Sequence, residues 1–196
     1  MPKRKYEQKK RAALVEETRR RIVEATVELH RTVGPASTQV AEVARRAHVQ
    51  RVTVYNHFPD ESSLLAACSA HWRRLHPAPN VEEWRTVGHP ARRLRVGLEE
   101  LYRWYRQTEP MTANVLRDAA AVPALGPILD RGLLRYLATA REVLTEPIRV
   151  RGSRRERVEA AASAALDFHL WRALSGLGDV GAAELGARLV EAAAAR

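Results

Sequence analysis

Residues 38–65 read TQVAEVARRAHVQRVTVYNHFPDESSLL. Val40, Val43, Ala44 and Ala47 fall at spacings of three and four, so they share one face of a short helix running from about Gln39 to Arg46. Thr38 is placed to cap that helix. A tight turn follows, then Val49, then a second short helix from about Gln50 to His57 whose apolar anchors are Val54 and Phe58. Between those anchors stand Gln50, Arg51, Thr53, Tyr55, Asn56 and His57. A helix buried on one side and rich in hydrogen-bonding groups on the other has the chemistry needed to enter a DNA major groove.

The run Tyr55-Asn56-His57-Phe58, followed by Pro59 and joined to the helical hairpin before it, resembles the N-terminal DNA-binding domain of TetR-type transcriptional regulators. The resemblance covers about residues 15–75, and beyond them rests on helix count, length and a few short runs. It implies a palindromic operator, a homodimer, and a helical C-terminal domain that takes a small-molecule effector. It also implies that Tyr55 and His57 touch phosphates. Three positions depart from the pattern. His48 stands where the turn commonly has glycine, so a left-handed backbone is expected there on a residue that tolerates it at a cost of about 1–2 kcal/mol. Glu61 stands near a common lysine, so that phosphate contact does not carry over, although the helix N-terminus capped by Asp60 can still offer N–H groups. Val52 replaces a residue that is usually small.

The chain has 196 residues with 33 Lys+Arg against 23 Asp+Glu, a formal charge of +10 that favours polyanionic partners. Lys3, Arg4, Lys5, Lys9, Lys10 and Arg11 are opposed only by Glu7, and such an arm can follow phosphates or enter a minor groove. No apolar run reaches the roughly 18–20 residues of a membrane span, and the N-terminus has no signal-peptide core. The single cysteine, Cys68, excludes an internal disulfide framework and suits a reducing cytoplasm.

Helical period runs through nearly every segment, without a convincing strand pattern, so the expected fold is all-α with about nine helices. The first helix is expected over 15–33, closed by Gly34-Pro35, and a fourth over 61–75. Pro77 and Pro79 open a linker. A helix from Pro90 should end near Thr108, with Pro110 opening another over 111–121. One more is expected over 125–144. Ser153-x-x-Glu156 fits a capping box for a helix reaching about Leu174, and the last helix spans 182–194. The corresponding domains are a basic arm at 1–14, a DNA-binding domain at 15–75, a linker at 76–89, and a regulatory and dimerisation domain at 90–196.

The candidate DNA contacts are Thr38, Gln50, Arg51, Thr53, Tyr55, Asn56 and His57, since Arg pairs with guanine edges and Gln or Asn with adenine. For an effector, the helices after Pro90 offer Tyr102, Trp104, Tyr105, Met111, Asn114, Asp118, Tyr136, Phe168, His169 and Trp171. Trp104, Tyr105, Asn114 and Phe168 are the chosen ligand contacts, with Asn114 orienting an organic molecule of sizeable hydrophobic body. An aromatic stripe of this kind also serves as ordinary core. For the dimer, Ala162, Leu166, Leu189 and Val190 are the chosen interface residues, with packing inside one subunit as the alternative.

No zinc, phosphate-loop, nucleophile or paired-cysteine motif is legible, so no catalytic residue, metal site or cofactor is expected. Cys68 and His71 share a helix face, but His76 lies beyond the helix end with no acidic partner. The expected protein is a cytoplasmic, homodimeric DNA-binding regulator of the TetR type, a repressor released by a small hydrophobic effector. The competing readings are an effector-independent dimeric DNA-binding protein, and a helical enzyme or carrier whose hairpin only resembles a DNA reader.

Overall fold

The computed structural model describes residues 2–195. Met1 and Arg196, the outer limits of the expected arm and of the C-terminal domain, lie outside them, as do the side chains of Lys3, Arg4 and Lys5. Among the described residues the fold is all-helical. The α-helices are α1 (Pro2–Thr32), α2 (Val40–Arg46), α3 (Arg51–His57), α4 (Glu61–Leu75), α5 (Val81–Trp84), α6 (Pro90–Asp118), α7 (Gly126–Leu129), α8 (Arg135–Thr145), α9 (Ser153–Leu166), α10 (Phe168–Leu174) and α11 (Gly178–Ala195). Nine of these described helices have seven residues or more.

The number nine is reached differently from expectation. Pro110 does not end a helix: α6 runs unbroken for 29 residues through it. Proline removes one backbone hydrogen bond and crowds the preceding turn. Here Tyr105 and Thr108 are buried on one side of Pro110, and Met111 and Thr112 on the other, so packing holds the helix together. The opposite happens at Asp167. Its backbone is extended (φ −72°, ψ 134°), and its carboxylate accepts the N–H groups of His169 (2.7 Å) and Leu170 (3.2 Å), so the expected single helix splits into α9 and α10. Ser153 is the first residue of α9 rather than its cap. Gly152, at φ 57°, takes that place, and no side chain caps the helix. The residues of the expected basic arm from Pro2 onward belong to α1, so the first helix begins well before the expected residue 15.

The chain divides into two compact units, residues 1–76 with 110–128, and residues 77–109 with 129–196. Thus the last turns of α6 pack with the N-terminal helices, although the sequence reading placed all of 90–196 in one domain. The core of the first unit gathers Ile22, Val23, Val27 and Leu29 of α1, Val43 and Ala44 of α2, Val54 and Phe58 around α3, Leu64 and Cys68 of α4, and Met111 of α6. Each buried Val, Leu, Ile, Phe or Met among them contributes about 1.5–3 kcal/mol relative to exposure. Cys68 lies in that core, and burial pushes its thiol up to about 12, which suits packing and not redox chemistry.

The second unit is built on Leu94, Leu98, Leu101 and Tyr102 of α6, Leu144 of α8, Val158 and Leu166 of α9, Trp171 of α10 and Val190 of α11, all buried. Its helices are also tied by hydroxyls. Tyr102 donates to the carbonyl of Ala165 (2.6 Å) and Tyr105 to that of Leu166 (2.8 Å), the last carbonyls of α9. Tyr102 reaches there past Gly186, where an added methyl group would crowd its hydroxyl.

Candidate functional site

The helical hairpin of residues 40–57 is held by a turn that obeys the expected backbone. Ala47 donates to Val43 (2.9 Å), Val49 donates to Ala44 (2.9 Å), and His48 between them sits at φ 53°. This left-handed residue closes α2 and sends the chain into α3. Val43, Ala44, Ala47, Val54 and Phe58 are buried, which fixes the face that each short helix turns inward. Arg19 of α1 clamps the end of α3, donating to the carbonyl of His57 (3.0 Å) while its guanidinium lies 4.2 Å from the Phe58 ring centroid.

Opposite that buried face, Gln50, Arg51, Val52, Tyr55 and Asn56 are exposed, and Thr53 and His57 half-buried. Among the described residues the polar side chains of this set take no hydrogen bond and Arg51 no ion pair, so they are available to an outside partner. The neighbouring cations are less available. Glu42 binds both Arg45 (2.7 Å) and Arg46 (2.8 Å), and these hydrogen bonds hold its carboxyl down at about 2. At the far side, Asp60 caps α4 through the N–H of Ser63 (2.7 Å), as expected.

Thr38 is corrected. The residue before α2 is Gln39, with no side-chain cap, and the Thr38 hydroxyl instead donates to the carbonyl of Gly34 (2.8 Å). That bond closes the 35–37 turn that leads into the hairpin, and Thr38 stays half-buried beside the exposed Gln39.

The four chosen ligand residues do not assemble as a set. Trp104, Tyr105 and Phe168 do meet in the second unit, with ring centroids 5.5 Å apart for Trp104–Tyr105 and 5.3 Å for Tyr105–Phe168. Tyr136 and Trp171 complete this cluster, 6.2 Å from Trp104 and 5.5 Å from Tyr105. Asn114 belongs to the first unit. Its amide donates to the carbonyls of His30 (3.0 Å) and Arg31 (2.9 Å), completing the last turn of α1. Met111 and Asp118 also lie in that unit, and His169 is exposed. The polar groups inside the aromatic cluster are instead Tyr136 Oη and Trp171 Nε1, both buried without a hydrogen-bond partner among the described residues. Both residues are legible in the sequence as aromatics, but which polar atoms lack partners is not.

Three of the four expected dimer residues face the interior of the chain instead. Ala162 and Leu166 of α9 and Val190 of α11 are buried within one chain, where α9 and α11 pack on each other. Of the four, Leu189 is exposed, at 44%. Leu185, one turn before it on α11, is exposed as well, and so are Ala160 and Ala164, one turn apart on α9.

Residues 22–68 match the family of bacterial regulatory proteins described as the tetR family. The HTH-type transcriptional regulator SrpR of Pseudomonas putida is 39% identical over 69 residues, which is 35% of this chain and about a third (32%) of that protein. A TetR transcription regulator from Haloarcula marismortui superposes with a TM-score of 0.59 at 16% identity, over 92% of this chain and 97% of that one. RolR in complex with resorcinol gives a TM-score of 0.50 at 20% identity, over 94% of each chain. At these identities the two structures establish a shared fold.

Proposed function

We infer that this chain, whose N-terminal domain belongs to the tetR family of bacterial regulatory proteins, is a sequence-specific DNA-binding transcriptional regulator that acts as a homodimeric repressor in the cytoplasm. One observation carries the reading. The helix α3 is anchored by Val54 and Phe58, and around it the side chains of exposed Gln50, Arg51, Tyr55 and Asn56 and half-buried Thr53 and His57 take no hydrogen bond among the described residues. Arg51, Gln50 and Asn56 have the donors and acceptors for base edges, and Tyr55 and His57 those for phosphates. A two-fold dimer would present two such helices to successive major grooves. Its interface would use Leu185 and Leu189 of α11 with Ala160 and Ala164 of α9, whose small side chains allow close helix approach.

The effector site we propose is the aromatic cluster of Trp104, Tyr105, Tyr136, Phe168 and Trp171. Buried polar atoms are nearly always satisfied, so Tyr136 Oη and Trp171 Nε1 support a ligand that brings hydrogen-bonding atoms of its own. RolR was solved with resorcinol, a small aromatic diol. A molecule of that kind could accept from the Trp171 indole and exchange a hydrogen bond with Tyr136, while the remaining rings cover its faces. Release from DNA then needs the ligand to favour the non-binding state by about 3 kcal/mol or more.

The test is operator selection followed by binding of Arg51→Ala and Asn56→Ala. Each should lose about 1–3 kcal/mol on the selected site and much less on random DNA. Equal losses on both DNAs would make the residue a phosphate contact, and salt-insensitive binding would remove the reading altogether.

A further inference from the structure

The first unit holds a recess behind and beside α3, which shares Tyr55 with the exposed face of that helix. It is a partly open space of about 320 Å³ among α1, α2, α3 and the start of α4. Its floor is Thr26 and His30 of α1, and its walls include Val43, Val54, Leu64 and Leu65, all buried. The Thr26 hydroxyl is already spent on the carbonyl of Ile22 (2.8 Å). The His30 ring, only 5% exposed, takes no hydrogen bond among the described residues. Burial holds its pKa down at about 4, against the pull of Asp118, so the ring is neutral near pH 7 and can donate or accept.

The mouth has a different character. Tyr55, Asp60 and Glu61 line it, all three exposed. Asp60 uses Oδ1 to cap α4 and keeps a second carboxylate oxygen, and Glu61 takes no ion pair among the described residues. Two carboxylates and an exposed aromatic ring repel anions and attract a positive head group. A space of this size accommodates a single-ring organic body.

We propose that this recess binds a small organic cation, with its apolar body against Val54, Leu64 and Leu65 and its ammonium group between Glu61, Asp60 and the Tyr55 ring. An occupant would lie directly against α3. Its consequence for DNA rests on the reading of α3 as the DNA-contacting helix, but its binding does not.

The probes are benzylamine, benzyl alcohol and benzoate, which share one ring and differ in charge. They are titrated into the full chain with labelled Val and Leu methyl groups and labelled His. Benzylamine should give saturable shifts at the Val54, Leu64 and Leu65 methyls and at the His30 ring. Benzyl alcohol should bind at least threefold more weakly, and benzoate should leave these signals unmoved. Glu61→Gln, an exposed change that leaves the fold intact, should weaken benzylamine at least threefold. Absent shifts, or equal shifts from all three probes, overturn the site, and an unaffected Glu61→Gln overturns its charge selectivity. With binding established, benzylamine should weaken operator binding by wild type more than by Glu61→Gln. Methyl shifts without that difference overturn the bearing on α3 and leave the site standing. Failure of wild type to bind any operator strikes at the DNA-binding reading instead.

Discussion

The carboxylate of Asp118, near the end of α6, accepts the backbone N–H of Ala36 at 3.0 Å. The same carboxylate holds Arg117 (2.7 Å), and Arg117 in turn donates to the carbonyl of Val33 (3.0 Å). With Asn114 on His30 and Arg31, these side chains satisfy the free carbonyls at the end of α1 and fix the chain entering the hairpin. Gly34 makes this approach possible. It sits at φ 95°, and a methyl group there would collide with both Arg117 and Asp118.

Removing this clasp should therefore loosen the hairpin's support. Asp118→Ala should destabilise the protein by about 1–3 kcal/mol, because the charged hydrogen bonds that the buried carboxylate makes to Ala36 and Arg117 are lost. Gly34→Ala should cost at least as much, from the collision and from the backbone. Urea unfolding reads both, and an unchanged midpoint for Asp118→Ala would show that the bond to Ala36 carries no net stability.

The turn residue His48 carries the opposite expectation. At φ 53° it occupies a conformation that glycine adopts without strain. His48→Gly should stabilise the protein by about 0.5–1 kcal/mol, the relief of strain exceeding the added freedom of the unfolded chain. A fall in melting temperature would mean that the imidazole makes a contribution beyond its backbone.

Acid should act through His30. Its pKa is lowered from 6.5 to about 4, chiefly by burial, with Asp118 opposing, and with Asp60 and Glu61 at the mouth of its recess. Between those two pH values the unfolded chain binds a proton that the folded one refuses. The stability is therefore fully present above pH 6.5 and is lost as pH falls towards 4, by on the order of 3 kcal/mol. Urea melts across this window should show the loss, and His30→Gln should flatten it. Identical profiles for the two proteins would place the acid sensitivity elsewhere.

Leu189 and Val190 are neighbours with opposite fates. Val190 is fully buried and Leu189 exposed on the outer face of α11. Val190→Glu should unfold or severely destabilise the chain, by several kcal/mol, since a carboxylate would enter the core. Leu189→Glu should keep the helical circular-dichroism signal while sedimentation shows monomer. A folded, fully dimeric Leu189→Glu protein would remove this face from the interface.

The sequence by itself determined the helical hairpin. The spacing of Val40, Val43, Ala44 and Ala47, the anchors Val54 and Phe58, and the expected left-handed His48 are all local signals, and all reappear in the structure. Local signals fail where distant groups decide. Pro110 is a local signal for a break, yet buried neighbours on both sides carry α6 through it. Asp167 sits inside a continuous helical pattern, yet its carboxylate starts a new helix. Asn114 is a polar group among apolar faces, the local mark of a ligand contact, yet its partners are the carbonyls of His30 and Arg31, more than eighty residues away in sequence. Leu189 and Val190 are both apolar, and in a helix as apolar as α11 composition does not mark the inner face. Packing against α9 does. Periodicity within one helix reports that a face is buried, whereas which groups meet across helices, and which buried polar atoms lack partners, are set only when the chain closes on itself.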